Sequence, residues 1–190
     1  MADKLGFAFK ENDAEFLRII RKSNYLSQCR SLKALNCFSK RDEDVEIKIA
    51  DLHFSRNNSV CAVTTCLIID YSMNLPAFYL RREDSFSDGI GHLFDMQDID
   101  FDDDLPFSKA FVLQGKDEIS ARYLFTSGVR NFVMRYAGSE AQIEGTGSIL
   151  FLHKGRLEWA PDFETLGKEG IELSRLLKKT VEKEGLDANI

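Results

Sequence analysis

The sequence predicts an α+β fold, with an antiparallel meander in the first half and a strand, helix, hairpin and helix in the second. Three patterns support this prediction. Residues 45–50 alternate apolar with mostly polar side chains, which is typical of a half-buried strand. Residues 60–69 form a run rich in β-branched side chains, which favours a buried strand. Residues 166–181 place apolar side chains at helical spacing, which indicates a long amphipathic helix.

The first half begins with a predicted helix over about 14–23. Asp13 can cap it, because a carboxylate accepts hydrogen bonds from the free N–H groups of a first helical turn. Four strands are predicted after it, at 29–39, 45–50, 60–69 and 77–80. Strands that follow one another through short turns pair antiparallel, so we expect a meander of about four strands.

The second half is preceded by a short predicted helix over 85–95, which Gly89 and Gly91 weaken. The predicted elements of the second half are a strand at 110–114, a helical region over 117–136 that is broken near 126–128, a hairpin that pairs 141–144 with 149–153, and a final helix that starts at Pro161 or Asp162.

The chain shows no low-complexity linker, so we expect one α+β domain over residues 1–185. Its halves, about 1–82 and 105–185, are joined in this prediction by the segment 83–104. Residues 186–190 are expected to form a frayed tail, as chain ends commonly do.

The charge balance limits the classes of partner. The chain carries a formal net charge of −6, whereas general binding to nucleic acid or anionic lipid requires clustered Lys and Arg. We therefore expect no nucleic-acid partner. The basic stretch from Arg18 to Arg41 leaves only a local RNA-facing or phospholipid-facing role open.

No stretch reaches the ~18 consecutive apolar residues that a membrane-spanning helix needs, so no span is expected. The first residues lack the apolar core of a secretory signal, which makes the cytoplasm the expected location. The four cysteines form no C-x-x-C pair, so we predict reduced and mostly buried thiols. No catalytic constellation, cofactor fingerprint or zinc cluster is found, and no cofactor is predicted.

The segment 95–104 is acidic and aromatic. Asp98, Asp100 and Asp102 recur at a spacing of two, so an extended backbone places their three carboxylates on one side. Ile99 and Phe101 then face the other side. Several carboxylate oxygens can hold a hard cation such as Ca²⁺ or Mg²⁺. The segment is not an EF-hand loop, because it lacks the glycine and the bidentate glutamate of that motif.

Structural roles are an alternative for the same carboxylates. A residue among 102–104 can cap a turn that begins at Leu105. Asp100 can pair with Arg81 or Arg82, and an arginine held by two acceptors would fix the segment.

His92 lies near Asp95 and Asp98 in the sequence, so an acid–base pair is conceivable, although a surface or capping role is commoner for a lone histidine. No catalytic residue is assigned. The candidate ligand-binding residues are Asp98, Asp100, Asp102, His92 and Arg81.

Three motifs follow one another in this part of the chain: Leu-Arg-Arg-Glu at 80–83, Gln-Asp-Ile-Asp-Phe-Asp at 97–102 and Phe-Ser-x-x-Phe-x-Leu-x-Gly at 107–115. They resemble an uncharacterised bacterial protein family with an LRPE, DIDF and FSxxFxLxG pattern, over about residues 75–185. Many of its members look membrane-anchored, with spanning helices ahead of this domain. Arg82 stands where the family usually has proline. The resemblance implies a bacterial source and a shared domain, and it brings no known activity, catalytic residue or anchor.

Two hypotheses about function follow. The first is a non-enzymatic protein-interaction or regulatory domain, since the charged residues cluster on one segment without a catalytic constellation. The second is a divalent-metal-binding or small-ligand-binding protein, with or without enzymatic activity, that uses Asp98, Asp100 and Asp102. The sequence indicates no oligomeric state.

Overall fold

Nine strands and five α-helices are present in the computed structural model, which describes residues 6–26, 29–42, 44–56, 58–83, 97–158 and 160–184. The strands are β1 (Ala8–Lys10), β2 (Arg30–Asp42), β3 (Val45–Arg56), β4 (Ser59–Asp70), β5 (Leu75–Arg82), β6 (Gln97–Ile99), β7 (Phe111–Gly115), β8 (Gln142–Gly147) and β9 (Ile149–Gly155). The helices are α1 (Ala14–Ile20), α2 (Leu105–Ala110), α3 (Glu118–Leu124), α4 (Ser127–Val133) and α5 (Ala160–Glu184), and a 3₁₀ turn covers Met134–Tyr136.

The strands form one antiparallel sheet in the order β1-β2-β3-β4-β9-β8-β5-β7-β6. Strands β2, β3 and β4 make three strands of the expected meander, and β1, which the sequence did not predict, pairs with β2. The sequence pattern places β5 beside β4, and this prediction is wrong, because β5 pairs with β7 and β8 instead. Strand β9 occupies the place next to β4. The two halves of the chain therefore share one sheet and form a single α+β domain.

The sheet is buried on both faces. Helices α2 to α5 cover one face, where their apolar side chains share one core cluster with Phe78 of β5. Helix α1 and the loop after it cover the other face, where their apolar side chains share a second core cluster with Tyr79. Burial on both faces explains why residues 47–52 of β3 are all buried and why the strand continues past the alternating stretch 45–50 to Arg56.

Helix α1 begins as the sequence predicts. The Asp13 Oδ1 atom accepts hydrogen bonds from Glu15 N at 3.0 Å and Phe16 N at 3.1 Å. Burial of the Asp13 carboxyl raises its pKa, but the hydrogen bonds and the nearby Lys48 ammonium outweigh burial and hold the pKa below its ordinary value. The helix ends at Ile20, before the predicted boundary at residue 23.

The second half follows the predicted order of elements. Asp117 caps α3 and Thr126 caps α4, so the helical region is broken where the sequence predicts. The predicted hairpin is formed by β8 and β9. Helix α2 was not predicted beyond a capped turn, because so short a helix shows no apolar period. The helix predicted over 85–95 lies outside the described residues.

The cysteines agree with the sequence prediction. All four are free, and Cys61 is half-buried while the other three are buried. Burial raises the pKa of Cys66 to about 12 and that of Cys37 to about 11. Both side chains are therefore protonated thiols at neutral pH, and a protonated thiol is a poor nucleophile and metal ligand.

Gly145 of β8 is packed too tightly for a side chain. A Cβ atom there would lie 2.5 Å from Phe78 Cε1 and 2.8 Å from Leu75 Cδ1. We expect Gly145→Ala to lower the free energy of unfolding by about 1–3 kcal/mol, the usual cost of overpacking, as measured by urea denaturation. Gly155→Ala on the paired strand is the matched control, because a Cβ there meets no atom within 4 Å. Equal denaturation midpoints for the two variants would contradict this account.

Candidate functional site

The acidic segment forms an edge of the sheet. Its strand β6 pairs with β7, with Asp98 opposite Gln114. Ile99 and Phe101 are buried, while Asp98, Asp100 and Asp102 are exposed. The alternation in the sequence therefore reports the orientation of the side chains correctly.

Arg130 of α4 anchors the acidic segment through its side chain. This buried guanidinium donates from Nε to Asp104 Oδ2 at 2.8 Å and from Nη2 to Asp103 Oδ2 at 2.9 Å. Its Nη1 donates to the Phe125 carbonyl at 3.1 Å, and the guanidinium carbon lies 4.4 Å from the centre of the Phe101 ring. A planar guanidinium with several fixed donors suits such a site better than an ammonium group does.

Asp104 also caps helix α2, as the sequence predicts for one residue among 102–104. Its Oδ1 accepts a hydrogen bond from Phe107 N at 3.3 Å. Ser108 closes the same turn, because its hydroxyl accepts from Phe101 N at 2.8 Å and donates to the Phe101 carbonyl at 3.3 Å. The end of the acidic segment is thus held by hydrogen bonds between the Asp104 and Ser108 side chains and nearby backbone groups, as well as by Arg130.

Arg122 of α3 ties a second helix to the segment. Its Nη1 donates to the Asp100 carbonyl at 2.6 Å, and its Nη2 lies 2.8 Å from Glu118 Oε1. The guanidinium carbon lies 5.3 Å from the centre of the Phe101 ring. Ile119 and Tyr123, one helical turn apart on α3, are 67% and 56% exposed. Large apolar side chains therefore face solvent on the helix that Arg122 attaches to the acidic segment.

The candidate residues do not converge on one point. Asp98 Oδ1 accepts from Gln114 Nε2 at 2.7 Å. Arg81 lies on β5, with β7 between it and Asp98, and donates from Nη1 to the Arg82 carbonyl at 3.1 Å. Among the described residues, no group of three or more His, Cys, Asp or Glu side chains is close enough to hold a metal ion. His92 lies outside the described residues.

Sequence reasoning missed a buried polar cluster on the opposite face of the sheet. His153 Nε2 lies 3.0 Å from Glu144 Oε1, and His153 Nδ1 lies 2.8 Å from Thr65 Oγ1. The Ser23 hydroxyl donates to Glu144 Oε1, and Asn24 N donates to Glu144 Oε2 at 2.6 Å. Ser23, Glu144 and His153 are 0%, 3% and 1% exposed.

This cluster joins the loop after α1 to the central hairpin. Glu144 also accepts from Tyr25 N at 3.4 Å, so one carboxylate receives a hydroxyl and two backbone N–H groups from residues 23–25. A polar side chain at an inward position of a strand, such as Glu144 beside Ile143, was the only signal in the sequence. Its partners in residues 23–25 lie more than a hundred positions away, at separations of 119 to 121 residues.

No helix in the described part of the chain is long and apolar enough to cross a membrane. No protein-family model matches the sequence, and no curated protein matches it. Among solved structures, the fold is similar to the crystal structure of the mycobacterial trehalose monomycolate transport factor A, TtfA, with a TM-score of 0.69. That match covers 95% of this chain and 89% of the other at 12% sequence identity, so it shows the fold alone.

Replacement of Arg130 tests its role as an anchor. We expect Arg130→Lys to lower the free energy of unfolding by about 2 kcal/mol, because an ammonium group cannot serve two carboxylates and a carbonyl in this geometry. The matched control is Arg122→Lys. The Arg122 side chain is 43% exposed in its ion pair with Glu118, so this replacement should lower the free energy of unfolding by less than about 1 kcal/mol. Chemical denaturation measures both. A smaller loss for Arg130→Lys than for Arg122→Lys would show that the anchor lies elsewhere.

Replacement of Glu144 tests the second anchor. In Glu144→Gln, an amide NH₂ replaces one acceptor and faces donors of residues 23–25. We expect a loss of about 1–3 kcal/mol in the free energy of unfolding, the usual cost of unsatisfied buried groups. The exposed Glu140→Gln should change it by less than about 0.5 kcal/mol. If the thermal and urea unfolding curves of Glu144→Gln and Glu140→Gln coincide, Glu144 is not an anchor.

Proposed function

We propose that the protein is a non-enzymatic protein-interaction domain that binds a basic, partly apolar segment of a partner protein. The binding surface, here named the acidic docking face, consists of Asp98, Asp100, Asp102, Ile119 and Tyr123. The observation that carries the proposal is the exposure of Ile119 and Tyr123 on the helix that Arg122 attaches to the acidic segment through the Asp100 carbonyl.

Large exposed apolar side chains beside charged groups are typical of binding surfaces. Tyrosine is enriched among the residues that contribute most to binding energy, and a hydrophobic centre within a polar rim is the common arrangement. Ile119 and Tyr123 would supply the apolar contact. The three carboxylates would select a positively charged partner and speed its approach.

The acidic docking face is held in a fixed shape before it binds. Arg130 and Arg122 contact Phe101 from two helices, and Asp104 and Ser108 fix the turn that follows. A surface that is already ordered loses less conformational entropy on binding. This argues for a stable recognition surface and against a segment that folds only with its partner.

The buried Ser23, Glu144 and His153 cluster supports a non-enzymatic role. A serine beside a histidine and a carboxylate is the composition of a nucleophilic site, but Ser23 is 0% exposed and its hydroxyl donates to Glu144. A substrate has no access to this hydroxyl, and a general base must reach its proton in a plausible substrate pose. The alternative of a divalent cation at Asp98, Asp100 and Asp102 has weaker support, because Asp98 is engaged by Gln114.

The test compares two double variants of the full chain as affinity bait. Ile119→Ser with Tyr123→Ser removes the apolar part of the acidic docking face. Val60→Ser with Tyr71→Ser removes two other exposed side chains, 84% and 63% exposed, and serves as the matched control. We expect a partner that binds the wild type and the control but binds the first variant at least about tenfold more weakly.

Two further readouts distinguish this face from nonspecific capture. Higher salt should weaken the complex, because exposed charges are screened. Zero-length carbodiimide coupling should join Asp98, Asp100 or Asp102 to lysines of the partner. If every captured protein binds the Ile119→Ser, Tyr123→Ser variant as well as it binds the wild type, the proposal is wrong.

A further inference from the structure

A shallow groove runs along the solvent side of helix α5. Its volume is about 410 Å³, and it is here named the α5 groove, lined by Lys168, Ile171, Glu172, Arg175, Leu176 and Lys179. Ile171 and Leu176 are partly buried against the core, whereas the four charged side chains are exposed. The α5 groove therefore has a recessed apolar floor between charged edges.

The edges of the α5 groove carry positive charge that is not balanced by an ion pair. Glu172 is already paired, because Arg135 Nη1 lies 3.1 Å from Glu172 Oε2. Arg175 and Lys179 form no ion pair with any side chain in the described part of the chain. The groove is therefore suited to a partner that carries negative charge.

The recessed floor limits the kind of partner further. A helix that binds an anionic membrane inserts a protruding apolar face among the lipids. Ile171 and Leu176 do not protrude, since they are partly buried while the cations beside them are exposed. The α5 groove instead suits a protein surface whose own apolar side chains protrude and are flanked by carboxylates.

The acidic docking face of this same chain is such a surface. Its Ile119 and Tyr123 are 67% and 56% exposed, and they lie beside the exposed carboxylates of the acidic segment. Helices α3 and α5 contact each other and cover the same face of the sheet, so the solvent sides of both point away from it. Two copies related by a two-fold axis can therefore each bind the other, and two-fold dimers are the commonest closed assemblies.

We propose that two copies of this chain form a two-fold dimer in which the acidic docking face of each copy binds the α5 groove of the other. Ile119 and Tyr123 of one copy enter the groove, and the carboxylates beside them meet Arg175 and Lys179. The inference rests on the acidic docking face of the proposed function and adds a regulation of it. A partner protein must displace the second copy to reach this face, so self-association raises the partner concentration that binding requires.

The test is a charge exchange between two variants of the full chain, followed by analytical ultracentrifugation. Arg175→Glu with Lys179→Glu makes the α5 groove acidic, and Asp100→Lys with Asp102→Lys makes the docking face basic. We expect the wild type to dimerise and each variant alone to dimerise at least about tenfold more weakly, because like charges then meet. An equimolar mixture of the two variants should restore the dimer, since opposite charges face each other again at both contacts.

A matched control is Arg30→Glu with Lys33→Glu, which makes the same change in charge at exposed residues of β2 outside both surfaces. It should dimerise like the wild type. The four side chains exchanged in the test are exposed as well, so thermal midpoints close to that of the wild type should accompany the loss of the dimer. A wild type that stays monomeric up to about 1 mM overturns the proposal, even if its α5 groove binds an acidic peptide or an anionic vesicle. A mixture that dimerises no better than each variant alone overturns it too.

The dimer and the proposed function fail separately. Arg175→Glu with Lys179→Glu leaves the acidic docking face unchanged, so as affinity bait it should capture the partner of that face at least as well as the wild type. If the wild type is monomeric but Ile119→Ser with Tyr123→Ser loses that partner, the dimer is wrong and the proposed function stands. If the charge exchange restores the dimer but every captured protein still binds Ile119→Ser with Tyr123→Ser, the dimer stands and the proposed function is wrong.

Discussion

Arg130 is the side chain on which the arrangement of the acidic segment depends. Its guanidinium joins Asp103, Asp104 and the Phe125 carbonyl, and it lies against the Phe101 ring. A buried cation without partners would cost several kcal/mol, whereas here two carboxylates and a carbonyl satisfy it. Asp103 stays 73% exposed in its pair with Arg130, and within the described part of the segment Asp98, Asp100 and Asp102 are exposed as well.

The other face of the sheet has a comparable anchor in Glu144. There the buried Glu144 carboxyl group accepts hydrogen bonds from residues 23–25 and lies 3.0 Å from His153 Nε2, and so attaches the α1 layer to the central hairpin. Arg130 and Glu144 are thus buried charged side chains that attach the layers to the sheet, as Lys48 does with Glu15 of α1 and Asp70 with Lys178 of α5. Such polar anchors add little to stability compared with apolar packing, but they restrict the layers to one arrangement. The acidic docking face is held in shape by the first of these anchors, Arg130.

The local features of the fold could be predicted, and the distant pairings could not. The caps at Asp13 and Asp117 and the inward direction of Ile99 and Phe101 follow from neighbouring residues, so the sequence reports them. Asp104 lies 26 positions from Arg130, and Asn24 lies 120 positions from Glu144, and periodicity carries no information about such distant pairs. The predicted position of β5 beside β4 was wrong for the same reason, because sheet order depends on pairing between distant strands.

The central claim, that Arg130 holds the acidic segment, is tested most directly by a double-mutant cycle. Arg130→Gln and Asp104→Asn, alone and combined, give the coupling free energy between the two side chains from urea denaturation. A second cycle with Arg122→Gln and Glu118→Gln measures an exposed pair on α3, for which coupling of about 0.3–0.5 kcal/mol is usual. The account predicts a coupling of at least about 1.5 kcal/mol between Arg130 and Asp104. A value no larger than that of Arg122 and Glu118 would contradict it.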